Sequence, residues 1–147
     1  MTDSFSFYDS NDVAINGDNP IAFGFTEVGS VSDVFSLWIW NDRGGILGAA
    51  DISVLTIFGL KVNSDSDNLF NGTPFNKNIS MLEARSTNAF NTTGDWMKDW
   101  TPISPIRYLL AGRMPANSAR LIELRINVPY DAVLFDEAIF TLRVSGQ

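Results

Sequence analysis

The 147-residue chain contains no cysteine and no histidine, and each absence removes a body of chemistry. Without cysteine there is no disulfide, no thiolate metal site and no thiol nucleophile. Without histidine there is no Ser-His-Asp triad, no common zinc site and no ordinary proton shuttle near neutral pH. Positive charge is also scarce: 10 Lys and Arg stand against 17 Asp and Glu, a formal net charge of −7, and the basic residues are scattered singly. Such a surface repels a phosphate backbone, so nucleic acid is not an expected partner. No uninterrupted apolar run approaches the ~18 residues that span a bilayer, and the opening Met-Thr-Asp-Ser-Phe has neither the basic nor the apolar region of a signal peptide. The sequence carries no sign of secretion or membrane insertion.

What is present is apolar: 45% of the residues are hydrophobic and only 18% charged. A chain of this length buries enough surface to fold as one domain without staples. Residues 1–20 are rich in turn formers (Asp9, Ser10, Asn11, Asp12, Asn16, Gly17, Asp18, Asn19, Pro20) but carry Phe5, Phe7 and Tyr8. They read as an extended N-terminal arm whose aromatics dock on this domain or on a neighbour. Residues 21–147 read as the folded domain.

Within that domain the strand signals are short and frequent. Ile21–Gly29 is a first expected strand and Val34–Asn41 a second, stopped by the turn chemistry of Asn41-Asp42-Arg43-Gly44-Gly45. In the second, alternation sends Phe35, Leu37 and Ile39 to one face and Val34, Trp38 and Trp40 to the other, so neither face is polar enough to be left in water. A third strand region over 49–62 is expected to pair with the second. From 63 to 105 the pattern loosens into a loop-rich excursion with a short strand at Met81–Arg85. Ile106–Leu110 follows, then a turn at 113–117. Last come two runs of strict alternation: Ile122, Leu124, Ile126 and Val128, then Ala138, Phe140, Leu142 and Val144. Several short strands with no convincing helix give an all-β class and a single antiparallel β-sandwich.

The segment Leu37-Trp38-Ile39-Trp40-Asn41-Asp42, followed by Gly44-Gly45 and Ala49-Ala50-Asp51-Ile52, resembles the framework of immunoglobulin-like sandwich domains in tailed-bacteriophage virion proteins. A mid-chain Trp segment (Asp95-Trp96, or Asp99-Trp100-Thr101-Pro102), a Pro-Ala turn and the strands Leu121–Pro129 and Ala138–Val144 extend the resemblance over most of the chain from Ile21 onward. It implies a non-enzymatic virion structural protein, foremost a capsid decoration (cement) subunit. The implied partners are itself, as a homo-oligomer such as a trimer, and the major capsid or tail proteins. A neck, tail or baseplate accessory is the alternative role.

Three groups of residues are candidates for function. Phe5, Phe7, Tyr8, Trp38, Trp40, Leu121 and Ile139 form the expected interface set, because large aromatics and aliphatics at outward positions anchor association. Trp96 and Trp100 could stack on sugars, which gives a second reading, a carbohydrate-binding module contacting host glycans. Asp95 and Asp99 beside them have the makings of a glycosidase pair, but solvated loop charge accounts for them and the chain is read as non-enzymatic. Oxygen-rich clusters at Asn16/Asp18/Asn19 and Asp65/Asp67/Asn68 suit Ca²⁺ in ligand type but lack the EF-hand pattern, so no cofactor or metal is expected, with Ca²⁺ at a site assembled from both clusters as the alternative.

Overall fold

The computed structural model describes residues 5–71, 80–86, 100–132 and 138–146. Among these residues, eight strands and one short helix follow in the order β1 (Phe5–Tyr8), β2 (Phe35–Asn41), β3 (Ile52–Lys61), α1 (Ser66–Asn71), β4 (Leu82–Ser86), β5 (Thr101–Pro102), β6 (Tyr108–Met114), β7 (Ser118–Ile126) and β8 (Phe140–Gly146). They build two sheets, one of five strands in the order β1-β2-β7-β4-β5 and one of three in the order β6-β3-β8, with every pairing antiparallel. The protein is all-β in class.

Period-2 patterning explains the layering. In β2, Leu37 and Ile39 are fully buried while Ser36, Trp38 and Trp40 face out; in β7, Ile122 and Leu124 are fully buried between the half-buried Leu121, Glu123 and Arg125. The inward side chains of the larger sheet meet Leu55, Ile57, Leu109, Ala111 and Met114 of the smaller one in a single apolar cluster. That shared core is what joins the two layers.

The segment read as an arm enters the larger sheet as β1, pairing with β2 from Phe5↔Asn41 to Tyr8↔Trp38, and Phe5 and Phe7 pack against the core cluster. The expected strand at Ile21–Gly29 is absent. Gly24 and Gly29 take positive φ angles of 67° and 79°, which break extended pairing, and Phe25 is left 90% exposed. Phe23 nevertheless turns inward, stacking on Phe140 and meeting Phe35 edge-on, each at 6.3 Å.

One expectation about pairing also changes. β3 does not pair with β2; it lies in the other sheet between β6 and β8. Its alternation slips at register shifts around Leu55, so Ile52, Leu55 and Ile57 all point inward although Ile52 and Leu55 have opposite parity. β7 and β8, the two cleanest alternating runs, belong to different sheets.

The helix α1 was not foreseen. Asn63 accepts the Ser66 N–H on Oδ1 (3.2 Å), and Ser66 Oγ in turn accepts the N–H groups of Asn63 (3.0 Å) and Val62 (3.1 Å). This reciprocal capping box starts the helix and brings Leu69 and Phe70, each 3% exposed, into the core.

Candidate interaction surface

The outer face of the five-stranded sheet is built by register. Tyr8 opposes Trp38 and Trp38 opposes Leu121, giving one cross-strand row over β1, β2 and β7; the neighbouring row is Ser6, Trp40 and Ala119. Side chains directly opposite on one face are in contact range. Tyr8, Trp38, Trp40 and Leu121 are half-buried, in contrast to the closed core behind them.

One end of this aromatic patch is clamped by charge. Arg43, just past the end of β2, stacks its guanidinium on Tyr8 (4.2 Å to the ring centroid) and Trp40 (4.9 Å). It also donates two hydrogen bonds to Asp12, at 2.7 and 2.8 Å. Asp12 is positioned by a turn in which Asp9 Oδ1 accepts the N–H groups of Asn11 (2.8 Å) and Val13 (3.0 Å). A planar guanidinium suits both partners, because its faces stack on rings while its edge forks to a carboxylate.

These contacts hold acidic groups in the charged form. The hydrogen bond from Arg43 lowers the Asp12 carboxyl, and the Asn19 amide followed by the Val13 N–H lowers Asp9. Asp42, only 3% exposed, is lowered by the N–H groups of Ala49 and Leu47, which it accepts at 3.0 Å each. A folded-state value below the unfolded one gives stability that is present above the ordinary carboxylate value of 3.8 and is lost as pH falls through the depressed values. The urea midpoint is therefore expected to hold from neutral pH to about 5 and to fall steeply below about 4. Asp12→Asn should flatten that fall, which urea titrations of both proteins at each pH will measure.

The far half of the same face is ionic. Glu83 on β4 opposes Arg125 on β7, and Arg85 opposes Glu123, with Nε to Oε1 distances of 2.7 and 2.9 Å. Trp100 lies over both guanidiniums, 4.5 Å from Arg85 and 4.2 Å from Arg125. The Trp100 ring, from the 63–105 excursion, thus covers the ionic half of the sheet.

Of the residues expected at an interface, Tyr8, Trp38, Trp40 and Leu121 come together on this face. Phe5 and Phe7 face the domain's own core. Ile139, 43% exposed, lies away from the patch beside the smaller sheet, its N–H donating to Asn63 Oδ1 at 2.9 Å. Trp100 stacks on two arginines, while Trp96, Asp95 and Asp99 lie outside the described residues. Asn16 and Asn19 spend their side chains on their own turn and on Asp9, and Asp67 pairs with Lys61 at 2.5 Å. Among the described residues no group of three or more metal-ligating side chains occurs. Sequence reasoning missed the Arg43–Asp12 clamp, whose one local signal was an arginine three residues beyond Trp40.

At the same end of the sheet, the Asp42 carboxylate gathers the 42–49 loop and holds up its tip, where Ile46 is 87% and Leu47 53% exposed. Gly44 N–H donates to Asn117 Oδ1 at 2.8 Å, tying this loop to the β6–β7 turn. No family profile, curated protein or solved structure matches the chain.

Proposed function

We propose that this chain is a non-enzymatic structural subunit of a tailed-bacteriophage virion, with its two sheets arranged as an immunoglobulin-like sandwich, and that it works as a capsid decoration protein. The observation that carries the reading is the half-exposed row Tyr8–Trp38–Leu121 on the outside of the larger sheet. An apolar row of this kind, flanked by charge, has the anatomy of an association surface: an aromatic centre and a polar rim. The exposed Ile46–Leu47 tip adds a second apolar contact at the end of the same sheet.

On this reading copies of the chain associate through the aromatic row and dock on the shell, and their contribution is buried area between neighbouring subunits. Placement in a neck, tail or baseplate would use the same face on a different partner. The sugar-platform reading of Trp100 is less favoured, because a ring that stacks on Arg85 and Arg125 has that face occupied.

The test is the protein content of purified particles of the phage that encodes the chain. The reading expects the chain at a fixed, high copy number per particle, and particles assembled with Leu121→Glu to lose it. Finding it only in the infected-cell lysate and never in particles would refute the virion role.

A further inference from the structure

The smaller sheet carries a second and chemically different surface on its own outer face. Tyr108 on β6 opposes Phe58 on β3, and Phe58 opposes Arg143 on β8, so the three form one row across the whole sheet. The Phe58 and Tyr108 ring centroids are 5.1 Å apart, and the Arg143 guanidinium carbon sits 4.2 Å above the Phe58 ring. In the adjoining row Thr56 opposes Ser145 and donates from Oγ1 to the Ser145 carbonyl at 3.3 Å. Together they line an open cleft of about 580 Å³, within the size range of small-molecule sites.

Arg143 is the distinctive member. In a chain with 17 acids and 10 bases, Arg43, Lys61, Arg85, Arg113 and Arg125 each stand within salt-bridge distance of a carboxylate. Arg143, like Arg107, has no ion pair among the described residues; what sets it apart is that its guanidinium rests on the Phe58 ring. One face is thereby held in place while the N–H edge stays free to fork to a planar anion. Beside it Tyr108, 48% exposed, offers a ring face and a hydroxyl, and Thr56 and Ser145 supply further hydroxyls. A single fixed cation next to an aromatic face suits one carboxylate attached to a ring with an apolar side. It does not suit a polyanion, which the net charge of −7 repels.

We infer that the Tyr108–Phe58–Arg143 cleft binds a carboxylate-bearing sugar, with Arg143 taking the carboxylate, Tyr108 the apolar face of the ring, and Thr56 and Ser145 its hydroxyls. The cleft lies on the sheet opposite the Tyr8–Trp38–Leu121 row, so the site is independent of the assembly role proposed above.

The experiment is an amide-resolved NMR titration of the full chain with sodium glucuronate, N-acetylneuraminate, glucose and sodium acetate. The expected result is saturable shifts at residues 56–58, 108 and 143–145 with at least one of the two acidic sugars, and none at equal concentration with glucose. Acetate should bind at least about tenfold more weakly, since it lacks the ring that Tyr108 contacts. Arg143→Gln should weaken the acidic sugar by about tenfold or more, the remaining amides reporting an intact fold, and Arg143→Lys keeps the charge but loses the fork, serving if the Gln variant does not fold. Absence of saturable shifts with both acidic sugars, glucose acting on the same amides, acetate binding as tightly as the sugar acids, or an Arg143 variant that binds normally would each overturn the assignment.

Discussion

Phe70→Ala is expected to destabilise the protein by about 3–5 kcal/mol, the range for emptying a buried aromatic site. The ring is 3% exposed and fills the space over Gly59, where an added Cβ would sit 2.7 Å from Phe70 Cε1 and 3.3 Å from Leu82 Cδ2. Leu82, which lies beside the ring, is itself fully buried and held in the β4–β7 ladder, so it is not placed to collapse into the void. Since domains of this size are stable by about 5–15 kcal/mol, the variant keeps a fold with a much reduced margin. With a urea slope of about 2 kcal/mol/M its midpoint should drop by roughly 2 M, the slope itself unchanged. A loss under about 1 kcal/mol would mean that α1 does not deliver Phe70 to the core.

Deleting residues 1–8 is the second large effect. The deletion removes β1 with Phe5 and Phe7, whose rings pack on the core, and takes Tyr8 from the Arg43 stack. Partial burial of two phenylalanines contributes on the order of 2–4 kcal/mol. The backbone edge of β2 that pairs with β1 also becomes a template for pairing with other chains. Lower urea stability together with concentration-dependent aggregation is therefore expected, measured by urea titration and light scattering. An arm that docks only on a neighbour would leave the stability of the isolated chain unchanged.

The parts of the fold legible in the sequence are those set by local alternation. β2, β4, β7 and β8 follow from apolar residues at every second position, and the turn chemistry at 113–117 falls at the β6–β7 connection, between Met114 and Ser118. Alternation says which residues share a face but not which strands are neighbours, so the membership of β3, β7 and β8 in particular sheets was invisible. At 21–29 the period was present in Ile21, Phe23 and Phe25, but Gly24 and Gly29 at positive φ overrode it. In β3 a register shift reversed the parity midway.

The candidate surface was legible in the same proportion. Trp38 and Trp40 were identifiable as an outward aromatic pair, and Leu121 as an outward position on a clean strand. The contacts that organise them join distant residues: Asp12 reaches Arg43 across 31 positions, and Arg85 reaches Glu123 across 38. Trp100 looked available for a ligand because its two arginine neighbours come from β4 and β7, which only the folded sheet brings beneath it. The Tyr108–Phe58–Arg143 row combines three strands of the smaller sheet, and no segment of sequence carries it.

The most direct test of the central claim is the solution mass of the full chain by multi-angle light scattering over a range of concentrations, beside Trp38→Ala and Leu121→Glu. Association through the Tyr8–Trp38–Leu121 row predicts a closed oligomer for the unaltered chain. It predicts monomers for both variants, with their strand content and acid stability retained. An unaltered chain that stays monomeric at every concentration, or a Leu121→Glu variant of unchanged oligomeric mass, would contradict the assignment of this face to assembly.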